Sequence, residues 1–505
     1  MAKKFYITTT APYVNADPHI GFALEIIQAD AVARYHRLLG EEVIFGCGTD
    51  EHGLKIYRKA LEEKLSPQKY CDQSVTAWNK LKQVLNLSYT HFIRTTERRH
   101  LEAAQALWQR CQDNGDIYKK TYKSKYCVGC ELEKTDSELE QGRCPIHPNL
   151  EIELINEENY FFRFSKYQKP LLDFYAQNPD FVVPRYRFNE IIEFVKNGLE
   201  DFSVSRLKSK MPWGVDIPGD PNHVMYVWFD ALVFYISTLG WPKIADFAGF
   251  WPGIQVAGKD NLRQQSAIWQ AMLMSAGLPN SQQILIHGFI QSGGQKMSKS
   301  LGNVIDPIFL SQKYGADALR YYLLAKIHPF NDSDFTIQLF EEAYNSDLAN
   351  GLGNLTSRII TMCQKFTGGV VPPKIELKNH PLRKLEIAVW KMLEQKMPTF
   401  EFHLVLESIW NFIHALDKYI DETKPWVLAK QGKQKQIDEI IFVLLDCLKD
   451  LAWLIAAFLP EAAQKITTAL NLKDLLAKDP IYKDNWASLK PGTKIKPIKS
   501  LFPRI

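Results

Sequence analysis

The stretch KFYITTTAPYVNADPHIGFALEIIQADAVARYHRLLG, from Lys4 to Gly40, constrains the fold more than any other part of the chain. Its first part is apolar and β-branched and reads as a strand; its second part is amphipathic at helical spacing and closes on Gly40. His19 and Gly21 therefore stand where a strand hands over to the start of a helix. The alternation continues: EEVIFGCGTDEHG is a second strand ending in a glycine-rich turn, and HLEAAQALWQRCQDNG is a helix closed by Asn114-Gly115. Strands alternating with helices predict an α/β fold built on a parallel, doubly wound sheet of the Rossmann type.

The alternation breaks between residues 116 and 224, where short segments carry Cys127, Cys130, Cys144 and His147 in YCVGCELEKTDSELEQGRCPIH. Two knuckle-like pairs with a polar stretch between them match the ligand spacing of one structural zinc ion. Four such ligands close a tetrahedron and leave no open position for water. Two unrelated pairs, or a disulfide, are the lesser alternatives in a chain with no export signal. The α/β pattern then resumes with HVMYVWFDALVFYISTLG, so the cysteine-bearing segment reads as an insertion that splits one sheet. Beyond residue 340 the apolar positions turn helical: Leu406, Ile409, Ile413, Leu416 and Ile420 form one seam, and Ile437, Ile441, Leu444, Leu448 and Leu451 another. The expected division is a first sheet half at 1–115, the zinc-knuckle insertion at 116–224, the second half at 225–340, and an α-helical bundle with an extended tail at 341–505. The tail itself, LKPGTKIKPIKSLFPRI, is rich in proline and lysine and is expected to pack back as an extended segment.

A net charge of +4 permits a nucleic-acid partner without requiring one. The most apolar stretch, IIFVLLDCLKDLAWLIAAFLP, is broken by Asp446, Lys449 and Asp450, which excludes a membrane span and leaves a cytoplasmic protein as the expectation. Ligands of open parallel sheets bind beyond the carboxyl ends of strands, and helix starts favour anions. His19 can donate a hydrogen bond to a phosphate there, and Gly21 lacks the Cβ that would hold a flat base away from the backbone. Far downstream, GGQKMSKSLGN sets Lys296 and Lys299 behind Gly293 and Gly294, a loop suited to closing on a polyphosphate as pyrophosphate leaves. Taken singly, a His-x-Gly is an ordinary turn and a lysine pair an ordinary solvated face.

Together these features resemble the class I aminoacyl-tRNA synthetases, whose signatures are His-Ile-Gly-His and Lys-Met-Ser-Lys-Ser. The resemblance narrows to the methionyl-tRNA synthetase family. TTTAPYVNADPHIG, GTDEHG, the zinc knuckle, YVWFDA, GKD, KMSKSLGNVIDP, DLANGLGNLTSR and DKYIDETKPW are similar to that family's landmarks, in its order. The resemblance implies that methionine and ATP give methionyl-adenylate and then methionyl-tRNA, with magnesium accompanying ATP. It assigns Pro12, His19, Gly21, Lys296, Ser298 and Lys299 to ATP, His19, Gly21, Lys296 and Lys299 also to catalysis, and Ala11, Asp50, Trp228, Ala231, Phe234 and Gln265 to methionine. It gives Asn354, Arg358 and Trp426 to the anticodon of tRNA(Met), initiator tRNA included. On pattern alone Trp228 would be plain core, Arg358 a surface charge and Trp426 a helix-end core residue.

The chain departs from the family pattern at three places. Phe22 replaces the second signature histidine, and loss of one charge-assisted bond costs about 1.5–3 kcal/mol; the expectation is that the site still works. Phe234 and Gln265 stand where tyrosine and histidine are usual, which bears on selectivity more than on reaction type. The further tRNA-binding, dimer-forming domain of some relatives is not present in this sequence, so a monomer is expected. Three rivals are weaker. A ligase for leucine, isoleucine or valine would carry a larger editing insertion, a tRNA-binding protein without catalysis has no use for the lysine loop, and a small-metabolite nucleotidyltransferase has none for the bundle.

Overall fold

The alternation folds into one six-stranded sheet. The computed structural model describes residues 2–130, 132–134, 136–244, 247–297, 304–375, 380–472 and 489–505. Strands β1 (Lys4–Thr8), β2 (Glu42–Thr49), β3 (His91–Arg94), β4 (Val182–Val183), β5 (Ile254–Gly258) and β6 (Gln283–His287) lie in the order β3-β2-β1-β5-β6-β4. Every neighbouring pair is parallel. The order reverses between β1 and β5, and at such a switch point the crevice beyond the strands' carboxyl ends is where a ligand fits.

Helix α1 (Ile20–Leu38) carries the chain from β1 to β2 and is buried along most of its length, with Leu24, Ile27 and Ala31 in the core. Helices α2 (Leu54–Glu62), α3 (Pro67–Val84) and α4 (Arg98–Asp113) follow. Ser66 caps α3 through its hydroxyl, which accepts from the Lys69 amide at 3.3 Å, and Pro67 occupies the first helical position, where no amide hydrogen is needed.

The insertion is built on a long antiparallel pair, Ile117–Cys127 against Glu153–Phe162, with the cysteine knuckle at its far end. It is not wholly separate from the sheet. Strand β4 falls inside the expected 116–224 segment yet joins β6 as the outer edge of the main sheet. Two residues are too few to show a period, so nothing in the sequence marks that strand.

The second half supplies α5 (Val227–Leu232) and α6 (Ala316–Ala325). The bundle comprises α7 (Asn354–Phe366), α8 (Pro381–Lys396), α9 (Phe402–Thr423), α10 (Pro425–Lys430), α11 (Gln434–Ile455) and α12 (Pro460–Ala469). Both expected apolar seams, on α9 and α11, are buried. The charges that interrupt the apolar run pair with one another inside: Lys449 Nζ lies 3.2 Å from both Asp446 and Asp450. Among the described residues no helix is long and apolar enough to cross a membrane.

Helix α6 joins the two parts. Arg320, fully buried, meets Asp30 of α1 at 2.7 Å and donates to the carbonyls of Ala457 (3.1 Å) and Phe458 (2.8 Å) beyond α11. Asp30 also accepts from the Ser88 amide and hydroxyl at 2.6 Å. Burial alone would raise the Asp30 pKa, but Arg320 and Arg34 outweigh it and hold it at about 2. One turn away, Asp317 accepts from the Ala462 amide at 2.7 Å at the start of α12; there burial wins and the pKa rises to about 6.

Candidate active site

The loops at the carboxyl ends of β1, β2, β5 and β6, with the start of α1, make one crevice. His19 is the N-cap of α1, and its Nδ1 accepts from the Gly21 amide at 3.1 Å. That bond fixes the ring proton on Nε2 and leaves it as a donor. A Cβ on residue 21 would lie 3.0 Å from the His19 ring, so the glycine leaves room for the imidazole to fold over the helix start. His19 is exposed, yet partial desolvation lowers its pKa, and Glu25 and Asp260 pull it back up.

Beneath His19, Glu25 is buried and binds both halves of the split sheet. It accepts from the Thr10 amide at 2.7 Å and hydroxyl at 2.6 Å, after β1, and meets His287 Nε2 at 3.1 Å, at the end of β6. His287 Nδ1 donates to the Gly288 carbonyl at 2.7 Å. Burial would lower the His287 pKa, yet the hydrogen bond and charge of Glu25 raise it.

After β2 the turn carries Asp50, Glu51 and His52, all buried. The Asp50 amide donates to the Pro12 carbonyl at 2.9 Å, which draws the Ala11–Pro12 segment against the turn. Glu51 is gripped by Arg94 through Nε at 2.6 Å and Nη2 at 2.8 Å. The His52 amide donates to Asp50 Oδ1 at 3.3 Å, and its Nδ1 meets Asp230 Oδ2 at 2.8 Å. Asp230 Oδ1 takes the Nε2 of His100, on α4, at 2.9 Å, and His100 Nδ1 meets Ser237 Oγ at 2.9 Å. Burial pushes the Asp230 carboxyl up, but the two imidazoles overcome it and lower its pKa. Asp230 thus pins α5 to the Asp50 turn and to α4.

Helix α5 also bears Trp228 and Ala231. The Trp228 Nε1 hydrogen is sheltered from solvent and has no hydrogen-bond partner among the described residues. Phe234 is fully buried, and a Cβ on Gly48 of β2 would come within 2.7 Å of its ring. The aromatic residue that meets Gln265 is its neighbour, Tyr235, whose hydroxyl pairs with Gln265 Nε2. Gln265 belongs to a π-helical turn, Gln264–Ile268, a local widening often found at functional sites. Its Oε1 has no partner among the described residues. Phe22 turns inward, edge-on to Trp78 of α3 with ring centroids 5.0 Å apart, and is buried.

The lysine loop begins as a hairpin of β7 (Ile290–Ser292) and β8 (Gln295–Lys296). Gly293 and Gly294 both take positive φ, 62° and 73°, as a two-residue type I′ turn requires, so they serve a tight turn. The backbone of Lys296 ends this hairpin, whereas Ser298 and Lys299 lie outside the described residues. Where the described chain resumes, the Ile305 carbonyl accepts from the Ile20 amide at 3.1 Å, one residue from His19.

Two further sets lie away from the crevice. The ligand atoms of Cys127, Cys130, Cys144 and His147 all fall within 4.8 Å of one another. Cys130 and Cys144 sulfurs are 3.5 Å apart, and His147 Nδ1 is 3.3 Å from Cys130 and 3.8 Å from Cys127. Tetrahedral zinc with bonds of about 2.0–2.3 Å suits edges of this length. A Cβ on Gly129 would enter the His147 ring, at 2.5 Å, so the knuckle needs glycine there. The knuckle touches α2: Lys55 Nζ donates to the Gly129 carbonyl at 3.4 Å, and Arg58 meets Glu153 at 2.7 Å. In the bundle, Arg358 pairs with Asp417 at 2.7 Å and Asp421 at 2.6 Å of α9, Asn354 is exposed one turn earlier, and Trp426 of α10 is 40% exposed.

Sequence reasoning passed over Tyr235, His52, His100, Asp230, Glu25 and His287. For Asp230 a signal existed: a lone carboxylate inside the apolar run YVWFDALVF must find partners if it is buried.

The family model for class I tRNA synthetases (M) matches residues 5–153 and 137–360, and that for the anticodon-binding domain of tRNA ligases matches 382–500. The chain is 43% identical to a methionine–tRNA ligase of Thermosynechococcus vestitus, covering 92% of this chain and 90% of the relative. It is 41% identical to that of Caldanaerobacter subterraneus, covering 100% and 79%. Among solved structures, Mycobacterium tuberculosis methionyl-tRNA synthetase in complex with methionyl-adenylate superposes with a TM-score of 0.93 at 35% identity, covering 99% of this chain and 100% of that one. The apo form of the same enzyme gives 0.86 at 33% identity, covering 100% and 99%.

Proposed function

Because this chain belongs to the methionyl-tRNA synthetases of class I, we propose that it activates L-methionine with ATP and passes the methionyl group to tRNA(Met), initiator tRNA included. A carboxylate oxygen of methionine attacks the α-phosphorus of ATP, and pyrophosphate leaves. The 3′-terminal hydroxyl of the tRNA then attacks the carbonyl of the mixed anhydride, and AMP leaves. Magnesium bound with ATP neutralises part of the phosphate charge.

His19 donates from Nε2 to a phosphate oxygen, and its depressed pKa keeps it neutral near pH 7. Gly21 and Pro12 leave the nucleotide room, while Lys296, Ser298 and Lys299 close on the departing pyrophosphate. Asp50 receives the α-ammonium group. Ala11, Trp228, Ala231, Phe234 and Gln265 surround the side chain, with Tyr235 orienting Gln265. A polarisable thioether suits such aromatic surroundings. Asn354, Arg358 and Trp426 read and stack anticodon bases. Cys127, Cys130, Cys144 and His147 hold one zinc ion, whose contribution is structural. The working form is a cytoplasmic monomer.

The observation that carries the reading is the Ile20–Ile305 hydrogen bond, which brings the exit of the lysine loop to the first turn of α1. The test is ATP–pyrophosphate exchange across the amino acids, then charging of a tRNA with a CAU anticodon. Exchange dependent on methionine, with charging of that tRNA, is expected; no methionine-dependent exchange by the purified protein overturns the reading.

A further inference from the structure

Glu25 and His287 form a buried ionisable pair in the crevice to which the reaction above gives no task. They come from α1 and from the end of β6, and each is only 4% exposed. The hydrogen bonds around them fix where the protons are. His287 Nδ1 lies 2.7 Å from the Gly288 carbonyl, which can only accept, so Nδ1 carries a hydrogen. His287 Nε2 lies 3.1 Å from Glu25 Oε2, and a bond there needs a second proton. Glu25 Oε1 accepts from both the amide and the hydroxyl of Thr10, and two such donors favour the ionised carboxylate. The second proton therefore belongs to Nε2, and the ring is an imidazolium. Burial opposes that charge, but the bond to Glu25 and its charge outweigh burial and raise the His287 pKa.

The surroundings say what the charge is for. From the turn after β5, Asp260 approaches the same floor: a Cβ on Gly258 would meet Asp260 Oδ1 at 2.7 Å and the His287 ring at 3.6 Å. Glu25 and Asp260 both act on His19, at the start of α1. Tyr235 stays neutral, because burial above all, and then the Glu25 charge, raises its pKa. Lys259 and Asp332, beside Phe289, pair with each other at 2.6 Å. Without the imidazolium, Glu25 would add a second negative charge beside Asp260, on the floor of a site for a triphosphate. Such a charge repels the polyanion. A buried histidine–carboxylate pair is commonly just a tie within the core. This one joins the helix capped by His19 to the strand that runs on into the lysine loop, and it holds Thr10, next to Ala11 and Pro12.

We infer that His287 works as a buried imidazolium that neutralises Glu25 beneath the ATP crevice, so that one proton held between α1 and β6 is a fixed part of the ATP site. The inference rests on the ATP-dependent activation proposed above and adds a residue to it. Both ring nitrogens are engaged inside the protein, so His287 is a positioning residue, acting through its charge and through Glu25.

The test compares the full-length protein with His287→Gln, with Glu25→Gln and with the double variant. A glutamine at 287 can place its amide where Nε2 stands, so it still donates to Glu25 but brings no charge. The dissociation constant for magnesium–ATP is measured without methionine at pH 7.5, and the KM values for ATP and methionine come from pyrophosphate exchange. His287→Gln should bind ATP about tenfold more weakly, the scale of one unit charge acting through the protein, while the KM for methionine holds. The double variant, with both charges gone, should recover most of that loss, whereas a tie that only holds the fold would be weaker still. In protein labelled with 15N-histidine, one imidazolium of the parent should become a neutral ring in Glu25→Gln. Three results overturn the proposal: ATP binding by His287→Gln equal to the parent's, a double variant no tighter than His287→Gln, or no imidazolium lost in Glu25→Gln. The last reading stands even if the His287 variants fail to fold. A parent that neither binds ATP nor exchanges pyrophosphate would fault the functional reading instead, and the labelled histidine would still decide the imidazolium.

Discussion

Asp230 offers the sharpest test of how the methionine side of the crevice is held. Its carboxylate is fully buried and divides its two oxygens between His52, at 2.8 Å, and His100, at 2.9 Å. In Asp230→Ala both imidazoles lose their partner in the interior. Removing one member of a buried charged set costs about 3–5 kcal/mol. Asp230→Asn is milder: its oxygen can still accept from His52, and its amide can donate to His100 Nε2 once that ring carries its proton on Nδ1, facing Ser237 Oγ. The loss is then charge assistance alone, about 1–2 kcal/mol for the pair of bonds. Urea denaturation followed by loss of pyrophosphate exchange should rank parent, Asn, Ala in falling midpoint. Because α5 carries Trp228 and Ala231 and is tied through His52 to the Asp50 turn, the KM for methionine should rise about tenfold in the Asn variant, the equivalent of ~1.4 kcal/mol. The KM for ATP should hold, since His19, Glu25 and His287 are tied elsewhere. An alanine variant within about 1 kcal/mol of the parent would refute the energetic argument, and a parallel rise in both KM values would refute the positioning argument.

Other expectations follow from particular contacts. The Asp317 pKa is raised to about 6, so its stabilising contribution is complete below the unfolded pKa near 4 and is lost as pH rises through 6; Asp317→Asn should leave stability at pH 4 unchanged and add up to about 3 kcal/mol at pH 7.5, measured by denaturation at both pH values. Phe22→Ala should cost about 3–5 kcal/mol through the cavity left beside Trp78. Phe22→His, which restores the signature residue, should not speed exchange, because position 22 faces the core; a tenfold gain in kcat would contradict this. Cys144→Ser should abolish bound zinc by atomic emission and, through the Lys55 and Arg58 contacts with the knuckle, increase amide exchange in α2; a variant that retains zinc would show that the four-ligand set is wrong.

Residues 4–40 were legible as strand then helix because a short apolar, β-branched run passes into a longer segment closed by Gly40; both are buried nearly all round, so neither the two-residue nor the helical period marks them. The knuckle was legible for a different reason: its ligands are close in sequence, and metal geometry restricts their spacing. The Asp230 network was not, since His52, His100 and Asp230 come from three separated elements and only folding sets them side by side. Phe22 illustrates a second limit. It is adjacent to Gly21 in sequence, yet each helical step turns the side chain by about 100°, which carries residue 22 from the crevice to Trp78. The same rotation separates Phe234, packed under β2, from Tyr235, which meets Gln265. Strand β4 escaped notice because two residues have no period.

Arg320 has a consequence for how the molecule meets something much longer than itself. One guanidinium clamps the helix capped by His19 to two carbonyls just beyond α11 of the bundle, in the dry interior. A hinge at that place would have to bare an arginine and an aspartate together, a cost few ligands could repay. The span between crevice and bundle is therefore a fixed calliper, and an RNA that touches both ends must do the bending.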